Sequence, residues 1–155
     1  MTITIRRIQP RDEVGWRELW SAYNRFYVHE ASEAVTASLW SRILDAGSPI
    51  GAIVAEAADG AIVGMANYVL HDDTWSIAPV CCLADLYVDA GRRASGVGRM
   101  LVDWLVSEMN ANRWAQLYWI TRENNYRARA LYDTYTPHSG FLRYVIANDS
   151  TGGPD

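Results

Sequence analysis

A chain of 155 residues suits one compact domain with a sizeable core, and half of its residues are apolar, among them seven Trp and nine Tyr. A formal charge of -4 and an isoelectric point near 5.3 argue against a broad electrostatic grip on nucleic acid and suit a cationic small partner better. Cys81 and Cys82 are adjacent in an apolar run, where they offer neither an ordinary disulfide nor a spaced metal motif, so they read as reduced core thiols.

Thr2 to Ile8 alternates β-branched and polar residues, the pattern of a short strand, and Pro10 with Asp12 then suits a helix start. Trp16, Leu19, Trp20, Tyr23, Phe26 and Tyr27 recur at three- and four-residue steps and predict one wide buried stripe on a first helix. A second helix is expected from Val35 to Ala46, stopped by Gly47, Ser48 and Pro49. The period then changes to two. Ile50 to Ala57 and Ala61 to Leu70 read as strands joined by Ala58-Asp59-Gly60, and Trp75 to Val88 as a longer strand after a polar tip.

Val97, Met100, Leu101, Trp104, Leu105 and Met109 mark an amphipathic helix, Ala115 to Ile120 a short buried strand, and Asn124 to Tyr135 a further helix. Phe141 to Ala147 reads as a last strand, and residues 148–155 as a disordered tail to a single domain over residues 1–147. The expected fold is mixed α/β, a mostly antiparallel central sheet with helices on both faces. Met1 to Arg7 carries no apolar signal segment and no stretch approaches the roughly 20 apolar residues that span a bilayer, so a cytoplasmic protein is expected.

The sharpest local signal is Arg92-Arg93-Ala94-Ser95-Gly96-Val97-Gly98-Arg99, lying between an expected strand and an expected helix. First-turn amides of a helix have no internal partners and the helix dipole adds positive charge, so such a turn binds phosphate. Glycines let the backbone approach a ligand, and Arg92, Arg93 and Arg99 add charge. The Gly-Lys-Ser/Thr ending of a nucleotide P-loop and the third glycine of a dinucleotide fingerprint are both missing. A second signal is Asn125 and Tyr132, seven residues apart on one helical face and about 10 Å apart along the axis.

Together, the strand Leu83-Ala84-Asp85-Leu86-Tyr87-Val88, the loop Arg93-x-x-Gly96-x-Gly98 and the helix Asn125-x-x-Ala128-x-x-Leu131-Tyr132 resemble the acetyl-CoA site of the GNAT acetyltransferases. The resemblance spans about residues 3 to 147, and the aromatic first helix is similar to a branch of small histone-tail, polyamine and amino-acid acetyltransferases. It implies that backbone groups at Leu86, Tyr87 and Val88 bind the thioester and pantetheine arm, entering a gap between that strand and Ala115-Ile120. It also implies that the amides of Ala94, Ser95, Gly96, Val97, Gly98 and Arg99, with Arg93, hold the pyrophosphate, and that Asn125 and Ala128 contact the cofactor arm. Tyr132 matches the tyrosine that protonates the departing thiolate.

The proton acceptor is less defined, because several relatives carry a glutamate at the position of Ala84. Asp85 is the neighbouring acid, yet strand alternation sends adjacent side chains to opposite faces unless a bulge re-aims one. Glu30, Glu33, Asp72 and Asp73 are further acids for recognising or deprotonating a cationic amine, and Tyr27 is a candidate substrate contact. His29, His71 and His138 lie in separate segments without metal spacing, so no metal is expected. The expectation is acetyl transfer from acetyl-CoA to a small-molecule or peptide amine by direct attack in a ternary complex, in a homodimer paired through Phe141 to Ala147. A binding module that has lost catalysis is the rival reading, motivated by Ala84.

Overall fold

The alternating segments form a five-stranded sheet in a computed structural model that describes residues 2–93 and 95–148. β1 (Ile3–Arg7), β2 (Ile50–Ala57), β3 (Ile62–His71) and β4 (Val80–Val88) are antiparallel neighbours in that order, and β5 (Leu117–Tyr118) joins β4 in parallel. The chain divides into two compact units, Met1–Ile120 and Thr121–Asp155, and the whole sheet lies in the first.

On one face of the sheet lie α1 (Glu13–Phe26) and α2 (Glu33–Leu44); of the predicted stripe Trp16 and Leu19 are buried, Trp20, Tyr23 and Tyr27 half-buried, and Phe26 is exposed. Trp16, Leu19, Trp40 and Ile43 pack with Ala52, Val54 and Met65 of β2 and β3. Trp16 stacks on Trp20 at 5.7 Å and tilts against Trp40 at 5.2 Å, adding oriented aromatic contacts to the burial of apolar area. The start of α1 is tied to the sheet by charge. Arg6 of β1 donates both Nη groups to Asp12 at 2.7 and 2.8 Å and Nε to Glu56 at 2.7 Å. Buried Asp12 also accepts the Gln9 amide at 2.7 Å, and its bond to Arg6 holds its carboxyl below the usual range.

On the other face lies α3 (Val97–Asn112), which buries Val97, Leu101, Val102 and Leu105. A Cβ on Gly64 of β3 would stand 3.0 Å from Val97 Cγ1 and 3.3 Å from Leu101 Cδ1, so glycine at that point lets the first turn of α3 sit against the sheet. The second unit contributes α4 (Tyr126–Tyr132).

Three expectations need correction. Residues 75–79 continue the loop rather than starting the strand, with Trp75 and Ile77 fully exposed; Asp72, Asp73 and Thr74 favour a turn, as expected, and Pro79 has no amide to give a ladder. Phe141 to Ala147 forms no strand: among the described residues no strand pairs with it, and Phe141, Leu142, Tyr144 and Ile146 remain exposed. α4 is shorter than expected because its last turn tightens, with the amides of Thr134 and Tyr135 bonding to the carbonyls of Leu131 and Tyr132 ahead of Pro137. The expected tail lies outside the described residues except for Asn148. No helix among the described residues is long and apolar enough to cross a membrane.

Backbone strain is present where α1 turns toward α2. Val28 has φ of +53° and is 92 % exposed. A left-handed conformation costs a β-branched residue about 1–2 kcal/mol, and an asparagine tolerates it better. Because Val28 has almost no packing to lose, Val28→Asn is expected to raise the melting temperature by roughly 2–4 °C. An unchanged or lower value in calorimetry contradicts stored strain at this turn.

Candidate active site

One irregularity in β4 organises the site. Asn67 pairs with Asp85, but its neighbour Tyr68 pairs with Leu83, so Ala84 is an extra residue in the ladder, a β-bulge. Leu83, opposite Tyr68, belongs to the α3 face. Without the bulge Asp85 would share that face; with it, Asp85 lies opposite Asn67 on the face covered by α1. The bulge is the re-aiming that turns Asp85 away from the face of Leu83.

Asp85 is built into a network there. Asn67 Nδ2 donates to Asp85 Oδ2 at 3.1 Å, while Asn67 Oδ1 accepts from the indole Nε1 of Trp16 at 3.1 Å. Asn67 and Trp16 are both fully buried, so this amide has one orientation that satisfies its neighbours. Tyr23 of α1 is a further hydrogen-bond partner of Asp85. Burial raises the Asp85 carboxyl above the usual carboxylate range, and the bonds from Asn67 and Tyr23 only partly oppose it. Asn67, Trp16 and Tyr23 were not legible as site residues; the only sequence cue is a polar Asn67 within an apolar strand.

The expected gap is also present. β5 pairs with β4 at Cys81–Leu117 and Cys82–Tyr118, so among the described residues the strand from Leu83 to Val88 has a strand neighbour on the β3 side alone. Leu86, Tyr87 and Val88 therefore carry backbone groups on an edge that an extended, polar ligand can pair with. The shortness of β5, two residues rather than the expected six, is what leaves this edge open.

Beyond Val88 a single 3-10 turn (Ala90–Arg92) leads to the phosphate-type loop. Gly96 caps α3 with φ of +84°, which an L side chain rarely adopts, and a Cβ there would meet nothing. The amide of Met100 is the first to bond within the helix, to Gly96, so Val97, Gly98 and Arg99 present their amides at its positive end, where no acid sits in the first turn. Ser95 donates its hydroxyl to the Arg92 carbonyl. Ala94 lies outside the described residues. The Arg93 guanidinium stands over two rings, 5.3 Å from Phe26 and 5.2 Å from Tyr87, with Nε donating to the Val88 carbonyl.

The acceptor-side candidates separate. Tyr27 ends α1 and packs on Tyr23 at 4.8 Å, inside an aromatic wall that continues from Tyr23 to Tyr87 at 6.4 Å. Exposed Glu30 instead lines a cavity of about 190 Å³ between α1 and α2, with Trp20, Asn24, Arg25 and Thr36. Asp72 follows His71, which pairs with Val80 and lies 2.7 Å from Tyr118 Oη through Nε2, so Asp72 stands at the β5 end of the gap rather than beside Leu86.

Within the second unit, Asn125 caps α4, its Oδ1 accepting the Ala128 amide at 3.4 Å and its Nδ2 donating to Thr121 Oγ1 at 3.1 Å. Half-buried Tyr132 is the last residue of that helix. Cys81 is fully buried and burial pushes its thiol up to about 12, which keeps it protonated and unsuited to nucleophilic attack. No group of three or more His, Cys, Asp or Glu among the described residues is arranged to hold a metal ion.

Comparison with known proteins agrees with this geometry. The sequence model of the Acetyltransferase (GNAT) family matches residues 15–135. The D-amino-acid N-acetyltransferase HPA3 of Saccharomyces cerevisiae is 31% identical over 131 residues, covering 84% of this chain and 81% of that protein. Among solved structures, AAC(6')-Iy in complex with the bisubstrate analogue CoA-S-monomethyl-acetylneamine superposes with a TM-score of 0.82 at 17% identity, covering 96% of this chain and 99% of that one. A ribosomal-protein-alanine N-acetyltransferase from Brucella melitensis biovar Abortus 2308 superposes at 0.79 and 18% identity, covering 95% and 100%; at such identities these two show the shared fold. A split β4–β5 edge, a glycine-capped α3 and these matches together establish that the chain belongs to the GNAT acetyltransferase family and is an acyl-CoA-dependent N-acetyltransferase.

Proposed function

We propose that this enzyme moves the acetyl group of acetyl-CoA directly to a small primary amine while both are bound, with Asp85 receiving the amine proton and Tyr132 protonating the departing thiolate. The observation that carries the reading is the bulge at Ala84, which turns Asp85 onto the α1 face beside Tyr23. An amine with a pKa near 10.4 is a free nucleophile in only about one molecule in a few thousand at neutral pH, so a nearby acceptor is required. A carboxylate raised above its usual range is a stronger base than an ordinary aspartate.

The remaining residues hold and align. The open edge at Leu86, Tyr87 and Val88 suits the amide-bearing arm of acetyl-CoA, and donors there polarise a thioester carbonyl. The amides of Val97, Gly98 and Arg99 suit its pyrophosphate. The yeast relative named for D-amino acids favours free amino acids as the acceptor class over polyamines and protein tails. Reduced Cys81 and Cys82 agree with a cytoplasmic enzyme.

Thiol release followed with a panel of amino acids, polyamines and lysine peptides tests the reading, with mass spectrometry of the products. Amine-dependent release with an N-acetyl product on a free amino acid is expected. Tight acetyl-CoA binding without release on any amine would favour the binding-only alternative. A homodimer joined through Phe141 to Ala147 is part of the same reading, supported by the exposed apolar residues of that segment. Sedimentation is expected to show a dimer that Tyr144→Glu with Ile146→Glu dissociates; a monomer at working concentration removes the idea.

A further inference from the structure

On the sheet face that carries Asp85, two further polar side chains meet outside the Asp85 network. Asn67, Val69 and His71 alternate onto that face of β3, so His71 stands about 13 Å along the strand from Asn67. Tyr118 is the last residue of β5 and pairs with Cys82 of β4. The two belong to strands on either side of β4 and bridge it, His71 Nε2 lying 2.7 Å from Tyr118 Oη with the rings edge-on at 5.7 Å. His71 Nδ1 is 2.8 Å from the carbonyl of Asp72, which can only accept, so Nδ1 carries the hydrogen and in the neutral ring Nε2 accepts from the phenol. Burial pushes that phenol up to about 12, and it stays a donor.

The bridge closes one end of a strip of accessible surface. Between it and Asp85 lie Val69 and Cys82, paired with each other and both half-buried, and the exposed Ala84 of the bulge. Asp85 with Asn67 forms the other end, and the two ends are roughly 7–13 Å apart, two to four residues of strand. The aromatic wall of Tyr23, Tyr27 and Tyr87 covers the face beyond Asp85, and the open edge from Leu86 onward suits the cofactor arm. An amine held at Asp85 therefore sends the rest of its molecule toward the bridge. Val69 and Cys82 offer it an apolar floor. The Tyr118 ring, held at its hydroxyl and along its edge by His71, is a fixed end to that floor.

We propose that Tyr118 is a specificity-determining residue, the end wall that limits the side chain of an amino-acid acceptor lying over Val69 and Cys82, and that His71 is the positioning residue that holds it. This rests on the reading that the acceptor amine faces Asp85. Tyr118 acts by size: its ring stops a long side chain, and a ring released from His71 can turn aside.

The test measures kcat/KM by thiol release at saturating acetyl-CoA for both enantiomers of alanine, leucine, phenylalanine and tryptophan, with calorimetric Kd values for the same amino acids. Tyr118→Ala is expected to raise the tryptophan-to-alanine ratio of kcat/KM by about 10- to 100-fold, the discrimination a pocket wall supplies. His71→Ala, at an exposed position, is expected to raise it by about 3- to 10-fold, the value of one lost hydrogen bond. His71→Gln, whose side-chain carbonyl can still accept from the phenol, is expected to stay near wild type. Should Tyr118→Ala lose its fold, the two His71 variants decide. The same size-dependent shift in Kd, with no thiol release on any amine, upholds the wall and removes the transfer reading of the Asp85 end. Ratios and Kd values that do not move with side-chain size, or that change by one factor for every amino acid, overturn the wall, and normal thiol release alongside them leaves the transfer reading standing.

Discussion

Replacing Tyr132 by Phe is expected to lower turnover by about 10²- to 10⁴-fold while acetyl-CoA affinity stays within about twofold. The phenol and the phenyl ring have almost the same shape, so packing at the end of α4 survives and only the hydroxyl group is lost. Expulsion of a thiolate then proceeds without a donor, and the loss should be smallest for acyl donors with more acidic leaving thiols. Steady-state kinetics with calorimetric binding of acetyl-CoA separates the effects. Near-normal turnover in the variant, with an unchanged protein fold, removes Tyr132 from the chemistry.

Asp85→Asn is expected to cost about 10²- to 10³-fold in kcat/KM for the amine without weakening the fold. The asparagine carbonyl can still accept from Asn67 Nδ2 and from Tyr23, so the network to Trp16 keeps its acceptor. The sign of the pH dependence follows from burial, which raises the folded pKa of Asp85 above its unfolded value near 3.9. Protonated Asp85 is the form the fold prefers, so its contribution to stability is present at low pH and is lost as pH rises from the unfolded pKa through the raised folded one. Removing the charge should therefore leave the melting temperature at pH 7 unchanged or higher. Activity runs the other way: wild-type kcat/KM falls as pH drops through the raised Asp85 pKa, and that limb should vanish in Asp85→Asn. A variant that loses stability in step with activity, or keeps the limb, assigns Asp85 a structural role only.

The periodic parts of the chain were the legible ones. The step of three and four through Trp16, Leu19 and Tyr23 gave α1, the alternation over Ile50 to Ala57 gave β2 with its observed bounds, and Gly96 with Gly98 marked the start of α3. What escaped depends on neighbours. Phe141 to Ala147 has strand-forming residues, but a strand exists only where another strand accepts its bonds, and sequence does not say where that is. The length of β5 is set by how far it diverges from β4, which no residue in Ala115 to Ile120 announces.

The site shows the same division. The cofactor end was carried by three spaced motifs, whereas the face that Asp85 takes depended on a one-residue register shift that alternation cannot reveal. Asn67 and Tyr23, the partners of Asp85, come from 18 residues away in sequence and from another element. Asp72 follows a residue that reaches Tyr118 of β5, a contact that acidity near a turn does not announce.

Direct transfer is tested most simply by initial rates measured while acetyl-CoA and amine are varied together, with mass spectrometry of the protein after mixing with acetyl-CoA alone. Both substrates bound at once, an acid in Asp85 and no ionised thiol at Cys81 predict intersecting reciprocal plots and an unmodified protein mass. Parallel plots with an acetylated protein would show a covalent acetyl-enzyme and contradict the mechanism.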